Sequence, residues 1–108
     1  MEKISLYKHS SEDLNIEIST FLDENENLIV QGYDRGEEVK KFLDDYDNEY
    51  SLSVPSDSLN LFKKSLGRGL NNSKFLRVLQ KRFSGFDSFS RIKQYLDNRK
   101  IPYTSQSF

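Results

Sequence analysis

The chain has 108 residues and a net charge of −1, and it contains no Cys and no Trp. This length is typical of one domain, so we expect a single domain over residues 1–108. The lack of Cys excludes a disulfide scaffold and thiolate metal sites. No run of about 18 apolar residues occurs, which excludes a membrane-spanning helix. The first residues contain no long apolar stretch, so we expect a cytoplasmic protein without a secretory signal.

Charge is divided unevenly along the chain. Residues 1–60 hold five Lys and Arg against fifteen Asp and Glu, a net charge of −10, whereas residues 61–100 hold eleven against two, a net charge of +9. Such an asymmetry produces surfaces of opposite sign, which attract partners of opposite charge. The alternative interpretation is structural, with acids and bases neutralising each other across the fold.

Alternation of apolar and polar residues predicts the strands of the first half. Residues 14–21 show this period of two most clearly, residues 50–54 also have it, and residues 3–8 have it in part, with Ile4 and Leu6 on one side. Residues 28–33 return after an acidic loop of about five residues, which predicts a hairpin. Gly32 within the returning strand indicates a bulge or a close approach of another group to the backbone.

Residues 37–46 permit two interpretations. The spacing of Val39, Phe42, Leu43 and Tyr46 is that of a helical stripe, which favours a short helix or an irregular turn. The segment from Val39 to Leu43 also fits a strand, so the sequence leaves both structures open.

Three short helices are predicted between residues 56 and 100, separated by Gly67 and Gly85. Ser56 is the candidate N-cap of the first helix, and Asn72 or Ser73 that of the second. Residues 101–103 read as an extended tail that packs back on the domain, and residues 105–108 as a loose end.

Strands followed by helices indicate an α+β fold. We expect an N-terminal antiparallel sheet of three or four strands packed against three C-terminal helices, which leaves the other face of the sheet to water or a partner. The predicted core consists of Leu14, Ile16, Ile18, Leu28, Val30, Tyr50, Leu52, Val54, Leu59, Phe62, Leu66, Leu76, Leu79, Phe83, Phe89, Ile92 and Leu96.

The densest acidic segment is residues 44–49. Its start is similar to a calcium-binding loop, but Tyr50 stands where that loop needs Gly and Ser56 where it needs Glu. We therefore expect no metal and no cofactor. A better interpretation is an acidic edge for a basic protein partner, and the candidate partner-binding residues are Asp44, Asp45, Asp47 and Glu49.

Basic residues of the second half support an alternative hypothesis, an accessory nucleic-acid-binding domain. A patch of Lys and Arg releases counterions from a phosphate backbone. The overall pI near 5.8 and the lack of a known nucleic-acid-binding signature place this hypothesis second. Its candidate residues are Lys63, Lys64, Arg68, Lys74, Arg77 and Lys81.

Catalytic signatures are absent from the sequence. His9 is the single His, no Cys nucleophile exists and no Gly-x-Ser-x-Gly turn occurs, so we expect no enzyme. The remaining enzymatic alternative uses the carboxylates of Asp34, Asp47 and Glu49 in acid–base chemistry.

A loose resemblance covers residues 28–103. The order Asp34-x-Gly36, then Glu49-Tyr50 and Val54, then three short helices ending in Ile101-Pro102-Tyr103, resembles small uncharacterised bacterial single-domain proteins. The resemblance implies a bacterial origin and a compact domain, and it assigns no activity and no site residues.

The first functional hypothesis is a non-enzymatic protein-binding module. An immunity or antitoxin role fits it, because a small acidic protein can neutralise a basic nuclease by charge complementarity.

Overall fold

The computed structural model describes residues 2–37, 39, 40 and 47–107. An antiparallel sheet with the strand order β1-β2-β3-β4-β5 packs one of its faces against three helices. This is the α+β architecture that the sequence predicts, with a further strand after the helices. In chain order the elements are β1 (Lys3–Ser10), β2 (Asn15–Leu22), β3 (Leu28–Arg35), β4 (Asp47–Val54), α1 (Ser56–Leu66), α2 (Asn72–Phe83), α3 (Ser88–Asn98) and β5 (Thr104–Ser107).

The central strands pair without interruption. β2 and β3 pair over eight consecutive positions, and β3 and β4 do the same, with no shift of register. The loop between β2 and β3 is tightened by Asp23, whose carboxylate accepts the backbone N–H groups of Asn25 and Asn27, both at 2.9 Å. The predicted hairpin is thereby confirmed.

Cross-strand rows of side chains form the sheet side of the core. Thr20, Val30 and Leu52 occupy one such row, and each is almost completely buried. The Thr20 hydroxyl donates to the Ile29 carbonyl at 2.9 Å, so burial leaves this polar group with a partner. Burial of each aliphatic side chain in such a row contributes about 1.5–3 kcal/mol.

Aromatic rings join the three helices. Phe62 of α1 lies edge-on to Phe75 of α2, with 5.3 Å between ring centroids, and 5.7 Å from Tyr95 of α3. The Tyr95 hydroxyl donates to Ser65 Oγ at 2.8 Å, which fastens the end of α1 to α3. Tyr95 also lies edge-on to Phe83 of α2, with centroids 5.4 Å apart, so it stands where all three helices meet.

The N-caps of the first two helices differ from the predicted ones. Ser56 is the first residue of α1 instead of its cap, and Pro55 holds the N-cap position in an extended conformation. The Ser56 N–H is bound instead by Asn27 Oδ1 at 3.0 Å, from the β2–β3 loop. Asn71, one residue before the predicted pair, caps α2 by accepting the Lys74 N–H at 2.8 Å. The extended backbone of Pro55 and Asn71 places each at the N-cap position, and the contact from Asn27 satisfies the Ser56 N–H that a side-chain cap would otherwise bind.

The C-terminal segment is the main correction. Residues 104–107 form β5, which pairs with β4 from Tyr50↔Ser107 to Ser53↔Thr104, whereas the sequence predicted a loose end over residues 105–108. The segment Thr-Ser-Gln-Ser has no apolar alternation, so its strand conformation depends on pairing with β4. Phe108 lies outside the described residues.

Most of the predicted core is buried, and four of the five exceptions share a location. The partly exposed residues of the prediction are Leu14, Ile16, Tyr50, Leu66 and Phe89. Four of these lie toward the end of the sheet where β2 begins and β3 ends. The buried apolar residues absent from that list are Leu6, Leu22, Val39, Phe75 and Ile101.

The connection between β3 and β4 is described only in part. Glu37, Val39 and Lys40 are helical and Val39 is buried, which agrees with the helical interpretation where it can be compared. The rest of the ambiguous segment, residues 38 and 41–46, lies outside the described residues. Among the helices that the structure describes, none is long and apolar enough to cross a membrane.

Gly32 and Tyr50 form a direct cross-strand pair in which the tyrosine ring lies over the glycine. A Cβ atom at position 32 would overlap the Tyr50 ring, so only glycine leaves room for it. The register is regular here, and the close-approach interpretation of Gly32 is confirmed over the bulge. The Tyr50 ring also packs edge-on against Phe89 of α3, with centroids 4.8 Å apart.

Replacing Gly32 with Ala should destabilise the fold by about 1–3 kcal/mol, because the Tyr50 ring must leave its place between β3 and α3. The free energy of unfolding from urea denaturation measures this. Gly67→Ala is the control, since its backbone is extended and a Cβ there meets only ordinary contacts with Leu70. Equal stabilities of the two variants would contradict the packing role of Gly32.

Candidate partner-binding surface

One face of the sheet lies opposite the helices, and we call it the open face. Directly paired residues of antiparallel strands share a face, so the register assigns its members row by row. The central rows contain Lys8, Glu17, Tyr33 and Glu49, and next to them Ser10, Asn15, Arg35 and Asp47. Toward the β2–β3 loop the next row is uncharged and contains Ser5, Ser19, Gln31, Ser51 and Gln106. The row after it has one charged residue and contains Lys3, Phe21, Ile29, Ser53 and Thr104.

Tyr33 is the centre of the open face. It is half-buried, and it lies directly between Glu17 of β2 and Glu49 of β4, which are both exposed. Two shallow depressions of about 220 and 270 Å³ adjoin it, one toward β1 and one toward β4, and Tyr33 lines both. A ring in this position offers apolar area and a polar tip with little side-chain freedom left to lose.

Arg35 supports Tyr33 from the next row. Its guanidinium carbon lies 5.1 Å from the centroid of the Tyr33 ring, and its Nε lies 3.8 Å from Asp47 Oδ1. Both members of the ion pair are more than half exposed, so water screens the pair and its contribution to stability is at most about 1 kcal/mol. The contact nevertheless places the positive charge of Arg35 beside the Asp47 carboxylate.

The predicted acidic residues are distributed as follows. Asp47 and Glu49 are exposed on the open face near Tyr33. Asp44 and Asp45 lie outside the described residues. Glu17, which the sequence analysis did not single out for binding, completes the site on the opposite side of Tyr33. Only the pairing register brings residues 17, 33 and 49 together, because they are far apart in sequence.

Asp34 and Tyr50 form a polar pair on the helix side of the sheet. The Tyr50 hydroxyl donates to Asp34 Oδ1 at 3.2 Å. Burial raises the pKa of the Asp34 carboxyl above its usual value, and hydrogen bonds from Tyr50 and Asn48 partly offset this shift. Burial and the neighbouring carboxylate also raise the pKa of Tyr50. The pair is a half-buried polar contact at the end of the core.

The structure does not bring the three carboxylates of the enzymatic alternative together. Asp34 faces the helices, whereas Asp47 and Glu49 face the opposite side of the sheet. His9 is exposed near the end of β1, beside the smaller depression of the open face. Within the described ranges, no group of three or more His, Asp or Glu side chains is arranged to hold a metal ion.

The predicted basic residues lie on the helical layer. Lys74, Arg77 and Lys81 are exposed and share the outward face of α2, as their spacing requires. Lys63 bridges α1 to α2, since its Nζ donates to Asn72 Oδ1 at 2.6 Å. The other two, Lys64 and Arg68, are exposed at the end of α1 and in the segment after it.

Two arginines outside that prediction converge on one ring. The guanidinium carbon of Arg99 lies 3.6 Å from the centroid of Tyr95, and that of Arg82 lies 5.9 Å from it. Neither forms an ion pair with a carboxylate in the part of the chain that the structure describes. Arg91, by contrast, is paired with Asp87 at 3.1 Å. Sequence spacing did not indicate this cluster, because Arg99 follows the end of α3.

Comparisons with known proteins add no relative. No protein-family model, no curated protein and no solved structure matches the chain. The resemblance to small bacterial proteins therefore stays a prediction.

Asp34 should give the free energy of unfolding a distinct pH dependence. Because its pKa is raised in the folded chain, the folded state binds the proton more tightly, and stability should fall as the pH rises from 3.8 through the raised value. Asp34→Asn should remove this fall in urea denaturation measured at successive pH values.

Asp23→Asn is the matched control with the opposite sign. Backbone hydrogen bonds from Asn27 and Asn25 lower the pKa of Asp23, so its stabilising effect is present above pH 3.8 and is lost as the pH falls through the lowered value. An Asp34→Asn curve parallel to that of the wild type would show that the environment of Asp34 is the same in the folded and unfolded states.

Proposed function

We propose that the chain is a non-enzymatic protein-binding module that docks a basic partner on the open face. The observation that carries the proposal is the row Glu17–Tyr33–Glu49, in which two exposed carboxylates flank a half-buried aromatic ring between two depressions. Interface anchors are commonly aromatic residues with charged groups at the rim.

The charges of this row favour a Lys or Arg side chain of the partner. The Tyr33 ring already has the Arg35 guanidinium 5.1 Å from its centroid, so a cation of the partner is attracted chiefly by the carboxylates on both sides of the ring. Glu17 and Glu49 form no ion pair among the described residues, whereas Asp47 is already engaged by Arg35. Lys8 lies across from Glu17 at the edge of the same row, so a matching partner presents an acidic group there.

A role of immunity or antitoxin type is one function of this kind. A basic nuclease offers many cationic side chains, and carboxylates that meet them steer the encounter and compete with nucleic acid for the same surface. In this arrangement the partner docks on the open face, and the basic helical layer lies on the opposite side of the sheet.

A second candidate function, nucleic-acid binding, is favoured by Arg82 and Arg99. The guanidinium groups of Arg82 and Arg99 lie near the same Tyr95 ring, and neither is paired with a carboxylate among the described residues. Together they create a local positive potential. Guanidinium groups bind phosphate oxygens through charge-assisted, often bidentate hydrogen bonds. With the outward lysines of α2, the pair would contact a phosphate backbone from the helical side.

The proposed docking role of Glu17 and Glu49 on the open face can be tested by a pull-down. A pull-down from the native host with nuclease treatment should recover one protein in stoichiometric amount with the wild-type chain. The double variant Glu17→Gln and Glu49→Gln should recover at least about tenfold less, because it removes two charge contacts without changing side-chain volume.

The control for this experiment removes the same charge elsewhere. Glu12→Gln with Glu24→Gln changes two exposed carboxylates in the β1–β2 and β2–β3 turns, and recovery should equal that of the wild type. Loss of the partner in both double variants would reveal a general charge effect, and unchanged recovery in both would reject the open face as the docking site.

The second candidate function, nucleic-acid binding by the helical layer, can be tested by the salt dependence of affinity. If the helical layer binds it, affinity for an oligonucleotide should fall steeply with salt, and Arg82→Gln with Arg99→Gln should reduce the slope of log affinity against log salt by about 1.5 to 2. Lys3→Gln with Lys8→Gln on the open face should leave the slope unchanged. Salt-independent binding, or no binding by the wild type, would exclude this second function.

A further inference from the structure

We infer that the helical layer binds single-stranded nucleic acid, with a base stacked on Phe86 and the phosphate backbone along the arginines between α2 and α3. The inference rests on the second candidate function, nucleic-acid binding, and it specifies the form of the nucleic acid and the residue that contacts a base. Three observations carry it: an exposed aromatic ring, a braced turn that presents this ring, and a row of arginines that begins beside the turn.

Phe86 lies outside the core, in the turn between α2 and α3. Its side chain is 75% exposed, and the only other exposed large apolar side chain among the described residues is Leu61, at 54%. Phe62, Phe75 and Phe83 of the neighbouring helices are buried in the core, as such rings normally are. An aromatic ring that remains in water offers a flat apolar face on which a nucleic-acid base can stack.

The turn that carries Phe86 is braced by Arg91 of α3. The Arg91 guanidinium donates to the carbonyls of Arg82 at 3.2 Å and Ser84 at 2.7 Å, so the two helices are joined across the turn. The Gly85 N–H donates to a carbonyl of β1 at 3.0 Å, which fastens the turn to the sheet. Because the backbone under the ring is held in place, less conformational entropy is lost when a ligand binds.

Arginines continue from this turn along the seam between α2 and α3. Arg91, Tyr95 and Arg99 are spaced four residues apart, so they share one face of α3. Arg82 of α2 joins this row, since its guanidinium and that of Arg99 both approach the Tyr95 ring. From the turn to Arg99 the helix extends for about 18 Å, a distance that several nucleotides of one strand cover.

The carboxylates at the start and near the end of α3 already have partners. Asp87 is paired with Arg91 at 3.1 Å, and Asp97 accepts a tyrosine hydroxyl at 2.7 Å. Arg82 and Arg99 form no ion pair among the described residues, so both guanidinium groups are available to phosphate oxygens. The stacking of Arg99 on an aromatic ring, at 3.6 Å from the centroid, also limits its side-chain freedom before binding.

This arrangement favours a single strand over a duplex and over a membrane. Bases of a duplex are stacked on each other, so a side chain reaches their faces only by unstacking them, whereas unpaired bases are free to stack on an aromatic ring. A helix that lies on a membrane needs an apolar face. The outward residues Lys74, Arg77 and Lys81 of α2 are all basic, and Phe86 contributes a single ring.

The test measures the affinity of the full chain for three probes of twelve nucleotides at physiological salt. These are a single-stranded DNA of mixed sequence, the corresponding duplex, and an abasic single strand with the same phosphates. The wild type should bind the first probe most tightly. Phe86→Leu should weaken this binding at least about fivefold, as the loss of one stacked base does, and should leave the other two affinities unchanged. Phe86→Tyr keeps a ring and should bind as the wild type does.

Leu61→Ala is the matched control, because it removes the other exposed apolar side chain of the helical layer and should not change any affinity. Equal wild-type affinities for the mixed-sequence and abasic strands, or equal weakening by Phe86→Leu and Leu61→Ala, would overturn the inference. Salt-dependent binding would in that case still support the second candidate function, whereas no binding to any probe would overturn both. Tighter binding to phosphatidylserine vesicles than to the single strand, retained by Phe86→Leu, would assign the surface to membranes instead.

Discussion

The contact between the Tyr50 ring and the Gly32 backbone fixes the geometry on which the other features depend. Any other pairing of β3 with β4 would place the ring against a residue that has a Cβ atom, and a slip of one residue would turn the side chains of a whole strand to the opposite face. With this pair in register, Val30 and Leu52 enter the core. The same register places Tyr33 beside Glu49 on the open face.

Strand alternation then gives neighbouring residues different chemical environments. Asp34 and Tyr33 are adjacent in sequence, yet the half-buried carboxyl of Asp34 lies on the helix side of the sheet with a raised pKa, whereas Tyr33 lies on the open face. The hydroxyl of Tyr50 donates to Asp34 near the end of β3. A half-buried polar contact at the end of the core and a candidate docking site are thus two sides of one strand pair.

The sequence predicted those parts of the fold whose periodicity is local. The alternation in β2 and the apolar stripes of the helices are patterns that can be read within one short segment of sequence. The strand and the three helices that these patterns predict were confirmed. β5 was missed because Thr104–Ser107 has no periodicity of its own and owes its structure to β4. The site around Tyr33 was found only in part, since Asp47 and Glu49 were proposed from their acidic segment but Glu17 is brought to them by register alone. Arg99 was missed because it lies beyond the helical stripe.

The asymmetric charge of the sequence becomes an asymmetry of layers. Most of the acidic residues lie within residues 1–55, which supply the four consecutive strands, and most of the basic residues between 61 and 100 lie on the helices. The open face and the helical layer are separated by the thickness of the core, and exposed charges so far apart are largely screened from each other at physiological salt. The binding proposed at Tyr33 and the alternative proposed at the Arg82–Arg99 pair are therefore electrostatically independent of each other. A mutation that abolishes one has no electrostatic reason to change the other, and each surface can be tested without disturbing its opposite.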